Sequence, residues 1–355
     1  MSMLTRLIVG ALGAATLATG AFAQPAYHPP RPSFGDPDLQ GLWTNASITT
    51  LERPPGITKL VITPAEAARL EKANKAWLAD NDKPTDPQKG APPSGDDPGG
   101  YKSFWPDPGT QYGVVNGQIR TSWIVDPADG HVPYSSKGRQ DMMSSAIPQF
   151  SNFDGPEVRS LGERCIVGYG SSGGPPMLNV LYNNNYQIVQ SPGYVTIIVE
   201  MNHDARVLRL GGTHLPANVR PWMGDSIGHW EGDTLVVETT NLNPGQRFTA
   251  DIRHRIYVAP DSKVTERFSR VCANDILYAF KVEEPTAYTQ TWRGEIPMHA
   301  PKGPMYEYAC PEGNYTLADI LSDARAQEGH RTAGGPEAGT CHRGAVGQTY
   351  GRRSL

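Results

Sequence analysis

The sequence predicts a mainly β protein, folded as an antiparallel β-barrel or a β-sandwich with two peripheral helices. About ten short runs rich in Val, Ile, Thr and aromatic residues are separated by Gly, Pro, Asn and Asp turn residues. Only two segments place apolar residues at helical spacing. Because an unbroken series of hairpins closes most simply on itself, we expect the barrel rather than the sandwich.

The first part of the chain is predicted to hold a strand, a helix and a long loop. A short strand is expected at residues 39–43, after a proline-rich stretch. A Thr-Pro-Ala-Glu capping box at residues 63–66 and the apolar spacing behind it predict a helix over about residues 64–80. Residues 81–113 are rich in Pro, Gly and Asp and are expected to form a loop.

A glycine cluster at residues 168–174 matches two functional motifs at once. It fits GxGxxG, which is typical of dinucleotide sites, and GxSxG, which is typical of serine hydrolases. Both motifs need a helix directly after the turn, and Pro175 and Pro176 oppose that helix. We therefore predict a flexible loop, preceded by an irregular polar segment at residues 135–160.

The central residues 186–238 are predicted to form successive strands that carry most of the reactive polar groups. Turn residues then separate further short strands, which are predicted at residues 252–258, 263–271, 276–282, 288–296 and 305–310. A closing helix is expected from Thr316 onward. Residues 331–355 are Gly-rich, basic and without periodicity, which predicts a disordered tail.

Composition and the N-terminus limit the compartment and the class of partner. The 355-residue chain has a net charge of −4, which gives no electrostatic basis for nucleic-acid binding. Arg6, the apolar run at residues 7–17 and a small-x-small pattern predict a signal peptide over residues 1–23 and export to the periplasm. Because the run is too short to span a bilayer, no stable membrane anchor is expected after cleavage. Residues 24–330 are predicted to form one β-rich domain with long loops.

Four cysteines, Cys165, Cys272, Cys310 and Cys341, allow three complete pairings. Because Cys341 lies in the polar tail, a single pair among the other three is an alternative. Export favours structural disulfides over a catalytic thiol. The spacings match no CxxC metal motif, and we predict neither a metal nor a cofactor.

The richest candidate site is the segment that contains Glu200, His203, Asp204 and Arg206. Strand alternation places the two acids and the arginine on one face and His203 on the other. A β-bulge near His203 would bring its imidazole to a carboxylate, an arrangement suited to acid–base catalysis. The alternative is an exposed ladder of ion pairs with a histidine in the core.

A second set of residues is predicted to bind substrate, because it mixes a cation, large apolar surfaces and hydrogen-bonding groups. The set contains Arg220, Trp222, Asp225, His229 and Tyr308. The alternative is that the loop around Trp222 only covers one end of the barrel. A shared metal between His203 and His229 is disfavoured, because no short ligand motif accompanies them.

Seven motifs together resemble a family of secreted proteins of soil and aquatic bacteria. They occupy residues 35–43, 163–165, 174–177, 200–206, 222–226, 230–239 and 306–310. The resemblance spans roughly residues 35–327 and implies export, but it implies no activity. Gly41 and Trp43 are also similar to the opening Gly-x-Trp of lipocalin-like barrels.

These observations predict a periplasmic enzyme that uses acid–base chemistry, as a hydrolase, lyase or isomerase. Its substrate would be a small aromatic or sugar-derived molecule in a barrel cavity. His203 would act as general base or acid, and Asp204 or Glu200 would orient it. The alternative is a binding protein that carries a small apolar ligand without turning it over, and a third hypothesis is a structural protein of the cell envelope.

Overall fold

The computed structural model describes residues 27–83, 88, 107–251 and 254–333. The predicted signal peptide, most of the predicted loop at residues 81–113 and nearly all of the predicted tail lie outside these residues. Only residues 331–333 of that tail are described, and they end a helix.

The described residues form fifteen strands and three α-helices. The strands are β1 (Gly41–Thr44), β2 (Val61–Ile62), β3 (Val114–Val115), β4 (Gln118–Arg120), β5 (Ile124–Asp126), β6 (Asn185–Ser191), β7 (Tyr194–Val199), β8 (Ala205–Leu210), β9 (Asp225–Glu231), β10 (Thr234–Thr240), β11 (Phe248–Ala250), β12 (Arg255–Tyr257), β13 (Lys263–Cys272), β14 (Asp275–Glu283) and β15 (Trp292–His299). The helices are α1 (Pro64–Asn81), α2 (Ser136–Ser151) and α3 (Tyr315–Ala333).

Nine of the strands close into a barrel, in the order β1, β6, β7, β8, β9, β10, β13, β14 and β15. The barrel closes where β15 pairs with β1 through His299 and Thr44, and β5 adds to β15 outside the ring. The predicted barrel is therefore confirmed over the sandwich. One pair, β8 with β9, is parallel, because residues 211–224 cross over instead of making a tight turn. The prediction of an antiparallel barrel therefore holds for every neighbouring pair of barrel strands except this one.

Alternation along the strands explains why the barrel has an apolar interior. In β14, Ile276, Tyr278, Phe280 and Val282 are buried, while the residues between them are partly exposed. Side chains at every second position of a strand share one face, so these four point into the barrel. Phe280 and Trp292 meet edge to face with ring centroids 5.6 Å apart, a favoured geometry for aromatic packing.

The predicted capping box starts α1. The N–H of Glu66 donates to Thr63 Oγ1 at 3.2 Å, and the N–H of Thr63 donates to Glu66 Oε2 at 2.8 Å. The closing helix is also present as α3. The segment predicted at residues 305–310 is not a strand but an irregular stretch before α3.

Besides the two predicted helices the structure has a third, α2, in a segment expected to be irregular. Ser135 caps α2 by accepting a hydrogen bond from the N–H of Gly138 at 2.9 Å. The helix contains Pro148 and polar residues, which hide its periodicity in the sequence. Packing against β11 and β12 stabilises it instead.

The glycine cluster forms a buried loop at one end of the barrel. A 3-10 turn spans Tyr169–Ser171, no α-helix follows before β6, and residues 171–180 are all buried. The hydroxyl of Tyr186 donates to the Ser172 carbonyl at 3.0 Å, and the Met177 N–H donates to the Tyr278 hydroxyl at 2.9 Å. Because both tyrosines face the barrel interior, the loop packs into the core rather than remaining flexible.

Candidate functional site

The predicted catalytic segment is a tight connection between β7 and β8. A 3-10 turn spans Met201–His203, and both Asn202 and His203 have positive φ angles, of 61° and 53°. The chain therefore reverses here, and the strand alternation expected for these residues is interrupted. Each of the four predicted side chains consequently points to a different partner.

Glu200 connects the turn to the segment before α3. Its side chain is buried, its Oε2 accepts from Asn185 Nδ2 at 2.8 Å, and its Oε1 accepts from the Tyr306 N–H at 2.9 Å. A buried carboxylate that accepts hydrogen bonds on both oxygens is a strong positional constraint. Glu200 therefore positions the backbone at Tyr306.

His203 is exposed and contacts the backbone of the same segment before α3, at Tyr308. Its Nε2 meets the Tyr308 N–H at 3.1 Å. Because a backbone N–H can only donate, this ring nitrogen is the acceptor. His203 thus connects the turn to Tyr308.

Asp204 holds the glycine-rich loop. Its Oδ2 accepts from the Gly168 N–H at 2.7 Å, and its Oδ1 accepts from Asn202 Nδ2 at 3.1 Å. Burial raises the pKa of the Asp204 carboxyl, and these hydrogen bonds and the charge of His203 oppose the rise in part. The carboxyl lies next to His203 in sequence, but its oxygens bond to other groups.

Arg206 points into the barrel and pairs with Glu266. Its Nη1 donates to Glu266 Oε1 at 2.9 Å, and the two side chains are 2% and 0% exposed. Tyr278 also donates to Glu266 Oε1, at 2.7 Å. The guanidinium is therefore enclosed in the core, away from the exposed side of His203.

Four of the five predicted binding residues lie elsewhere on the molecule. Arg220 donates to the carbonyls of Leu242 and Pro260 and to the carboxylate of Asp261. Asp225 accepts hydrogen bonds from Arg209, from the N–H of Leu215 and from the ring of His214. Trp222 is 39% exposed and packs near Gly245. His229 is exposed beside Glu231 on the outer face of the barrel. Only Tyr308 lines the cavity that Glu200 and His203 support.

That cavity has a volume of about 910 Å³ and lies outside the barrel, between a loop segment and a second segment that includes the start of α3. One wall comes from residues 162–183 and the other from residues 306–320, and no strand residue lines it. Its aromatic side chains are Tyr169, Tyr182, Tyr306 and Tyr308. The rings of Tyr182 and Tyr308 are nearly parallel, at an interplanar angle of 15° with centroids 6.5 Å apart.

A disulfide joins the two walls of this cavity. Cys165 and Cys310 are bonded, and Cys310 itself lines the cavity. Cys272 carries a free thiol and Cys341 lies outside the described residues, so the described cysteines form the single pair that was the alternative to complete pairing. Structural disulfides persist in oxidising compartments, which fits an extracellular or periplasmic protein. Among the described residues, no helix is long and apolar enough to cross a membrane.

A smaller cavity of about 310 Å³ adjoins the first one. The two share Glu163, Tyr169 and Tyr182. Arg159 lines the smaller cavity, and its Nη2 donates to Glu163 Oε1 at 2.8 Å. Asp251 also lines this smaller cavity, which therefore has both positively and negatively charged side chains in its lining.

Sequence reasoning missed Glu163, Tyr169 and Tyr182. The motifs of their segment predict no cavity, and isolated tyrosines carry no spacing that signals one. The one available signal was Cys165, since its pairing with Cys310 brings these residues to Tyr308.

Within the described ranges, no group of three or more His, Cys, Asp or Glu side chains is arranged to hold a metal ion. Comparison of the chain with protein-family models, curated proteins and solved structures finds no match. The geometry of the cavity is therefore the basis for assigning a function.

Proposed function

We propose that the protein is an exported periplasmic protein that binds a small molecule in the cavity between residues 162–183 and 306–320. The observation that carries the proposal is the pair of nearly parallel rings, Tyr182 and Tyr308, on opposite walls of a 910 Å³ cavity. Ligand sites typically have volumes of about 300–1,000 Å³ and combine apolar or aromatic linings with a few polar groups.

The lining favours a ligand with a flat or apolar face, such as an aromatic or sugar-derived molecule. Tyrosine rings bury large apolar areas and keep a hydroxyl for hydrogen bonding. Leu317 and Ile320 of α3 add aliphatic surface, and Glu163 and Asn314 add polar groups that can orient a ligand. The disulfide and Glu200 hold the second wall in place before binding, which lowers the entropy cost of association.

A second candidate is an enzyme that uses acid–base chemistry on the same molecule. Two observations favour it: His203 is hydrogen-bonded to the backbone of Tyr308 in the cavity wall, and the neighbouring Asp204 has a raised pKa. Carboxyl groups with a perturbed pKa are common in active sites. In this hypothesis His203 exchanges the proton, while Arg206 and Glu200 keep structural roles.

The test is a thermal-shift screen of residues 24–355 against aromatic compounds, sugars and terpenoids. A ligand that binds the native state raises the melting temperature by mass action. We expect a hit in one chemical class and its loss in Tyr182→Leu. Tyr194→Leu is the matched control, because Tyr194 is 49% exposed on β7 and is not among the lining residues. A screen without hits, or equal loss in both variants, would contradict the proposal.

The same ligand distinguishes the carrier from the enzyme. In a carrier, His203→Ala should change the ligand affinity by less than about threefold. The reason is that His203 bonds the backbone of Tyr308 but is not itself a lining residue of the cavity. If the wild type converts the ligand and His203→Ala binds it normally without converting it, the enzyme hypothesis is favoured. Product analysis by mass spectrometry measures the conversion.

A further inference from the structure

We propose that the ligand of the tyrosine-lined cavity carries an organic cation, such as an alkylated ammonium group. The inference rests on the proposed binding function and names the chemical class of its ligand. The described lining residues include two carboxylates, Glu163 and Glu307, and four tyrosines, but no Lys, Arg or His. A cavity with this lining favours positive charge on what it holds.

The charge balance of the cavity is negative even after its internal pairing is counted. Glu163 is paired with Arg159, whose guanidinium lines the adjoining cavity. That pair is close to neutral, so Glu307 supplies the remaining charge. A ligand with a carboxylate or phosphate group would be repelled by these acidic side chains, and no cationic side chain in the lining would offset that repulsion.

The tyrosine rings favour an organic cation over a metal ion. The face of an aromatic ring carries negative charge density and attracts ammonium groups, most strongly when they are alkylated and easily desolvated. Metal ions instead need several ligands, and no group of three or more His, Cys, Asp or Glu side chains among the described residues is arranged to hold one. Tyr182 and Tyr308 pack as a nearly parallel pair, and both line the cavity, so that each presents ring surface to a ligand.

The rest of the lining accepts the uncharged body of such a ligand. Leu317 and Ile320 provide an aliphatic surface at α3, and Asn314 provides an amide. At about 910 Å³ the cavity is larger than a small ammonium ion requires. We therefore infer that the cation is one part of a ligand that also has an apolar or aromatic part.

The experiment compares three probes of similar size and different charge. Choline is the cation, 3,3-dimethylbutan-1-ol is its neutral carbon isostere, and 3,3-dimethylbutanoate is the anion. Titration of the oxidised protein, followed by NMR, should give choline an affinity at least about tenfold above that of the neutral isostere. The anion should bind weakest. Equal or tighter binding of the neutral isostere or the anion would overturn the inference.

Variants separate ring electrostatics from simple shape. Tyr308→Phe should keep the preference for choline, because the ring face is retained, whereas Tyr308→Leu should abolish it. Glu307→Gln should lower choline affinity about threefold without changing that of the neutral isostere. Glu231→Gln is the control, since this exposed carboxylate lies at the end of β9, away from the cavity. Loss of choline binding in Glu231→Gln alone would also overturn the inference.

Failure of the inference differs from failure of the binding function. If uncharged aromatic compounds bind and Tyr182→Leu removes them, while choline binds no better than its isostere, the function stands and the cation inference falls. If none of the probes binds and the thermal-shift screen is also empty, both fall together.

Discussion

Arg206 and Glu266 face each other inside the barrel, joined by two hydrogen bonds and both almost wholly buried. The pair extends into a chain of contacts. Tyr278 donates to Glu266, and the backbone of Met177 in the glycine-rich loop donates to Tyr278. The ion pair therefore connects the barrel wall to the loop that fills its end.

Removing one partner of this ion pair should destabilise the protein strongly. Glu266→Gln or Arg206→Met leaves a buried charge without its counter-ion, and we expect a loss of about 3–5 kcal/mol in the free energy of unfolding. The double variant Arg206→Met/Glu266→Leu should recover much of that loss, because neither charge remains. Urea denaturation measures all three. Additive losses in the double variant would contradict this account.

Breaking the disulfide should release the cavity wall before the barrel. The variant Cys165→Ser/Cys310→Ser should lose about 2–4 kcal/mol of stability. Limited proteolysis should then cut first within residues 300–333, since these connect to the first wall chiefly through Cys310 and a few hydrogen bonds. Cys272→Ser is the matched control and should keep the wild-type pattern. Early cleavage within β13 or β14 would show that the disulfide supports the barrel itself.

Asp204 should make stability depend on pH with an unusual sign for a carboxyl. Burial raises its pKa in the folded state, so the folded protein holds this proton more tightly than the unfolded chain does. Its contribution to stability is fully present below the ordinary pKa of an aspartate and is lost as the pH rises through the folded pKa. The stability of the wild type relative to Asp204→Asn should therefore fall as the pH rises.

Urea midpoints between about pH 3 and pH 7 would measure this difference, because the range begins near the ordinary pKa of aspartate. The comparison with Asp204→Asn isolates the group, since an amide does not titrate. A relative stability that rises with pH would mean that the hydrogen bonds from Gly168 and Asn202 outweigh burial.

Glu200 should affect ligand binding without touching the ligand. Glu200→Ala removes the acceptor of the Tyr306 N–H and loosens the second wall, so we expect ligand affinity to fall about threefold to tenfold. Hydrogen exchange at the Tyr306 amide should rise in the same variant. Glu200→Gln keeps an oxygen acceptor and should preserve most of both properties. Unchanged amide exchange in Glu200→Ala would contradict the positioning role.

Local rules recovered much of the fold from the sequence. The start of α1 was predictable because the capping box joins residues three apart, and the strands of the meander were predictable because apolar residues alternate along them. The α2 helix was not predictable, since its stability comes from packing and its own sequence shows no clear apolar face. The turn at residues 201–203 was missed because two non-glycine residues adopt positive φ there.

The sequence alone determined the mainly β class, the barrel preference and the absence of a helix after the glycine cluster. Only the tertiary structure decided that Arg206 pairs with Glu266, that Cys165 bonds Cys310 and that Glu200 supports Tyr306. The reason is physical. Alternation and capping act between near neighbours, whereas these contacts join residues 60, 145 and 106 positions apart, and barrel closure brings them together.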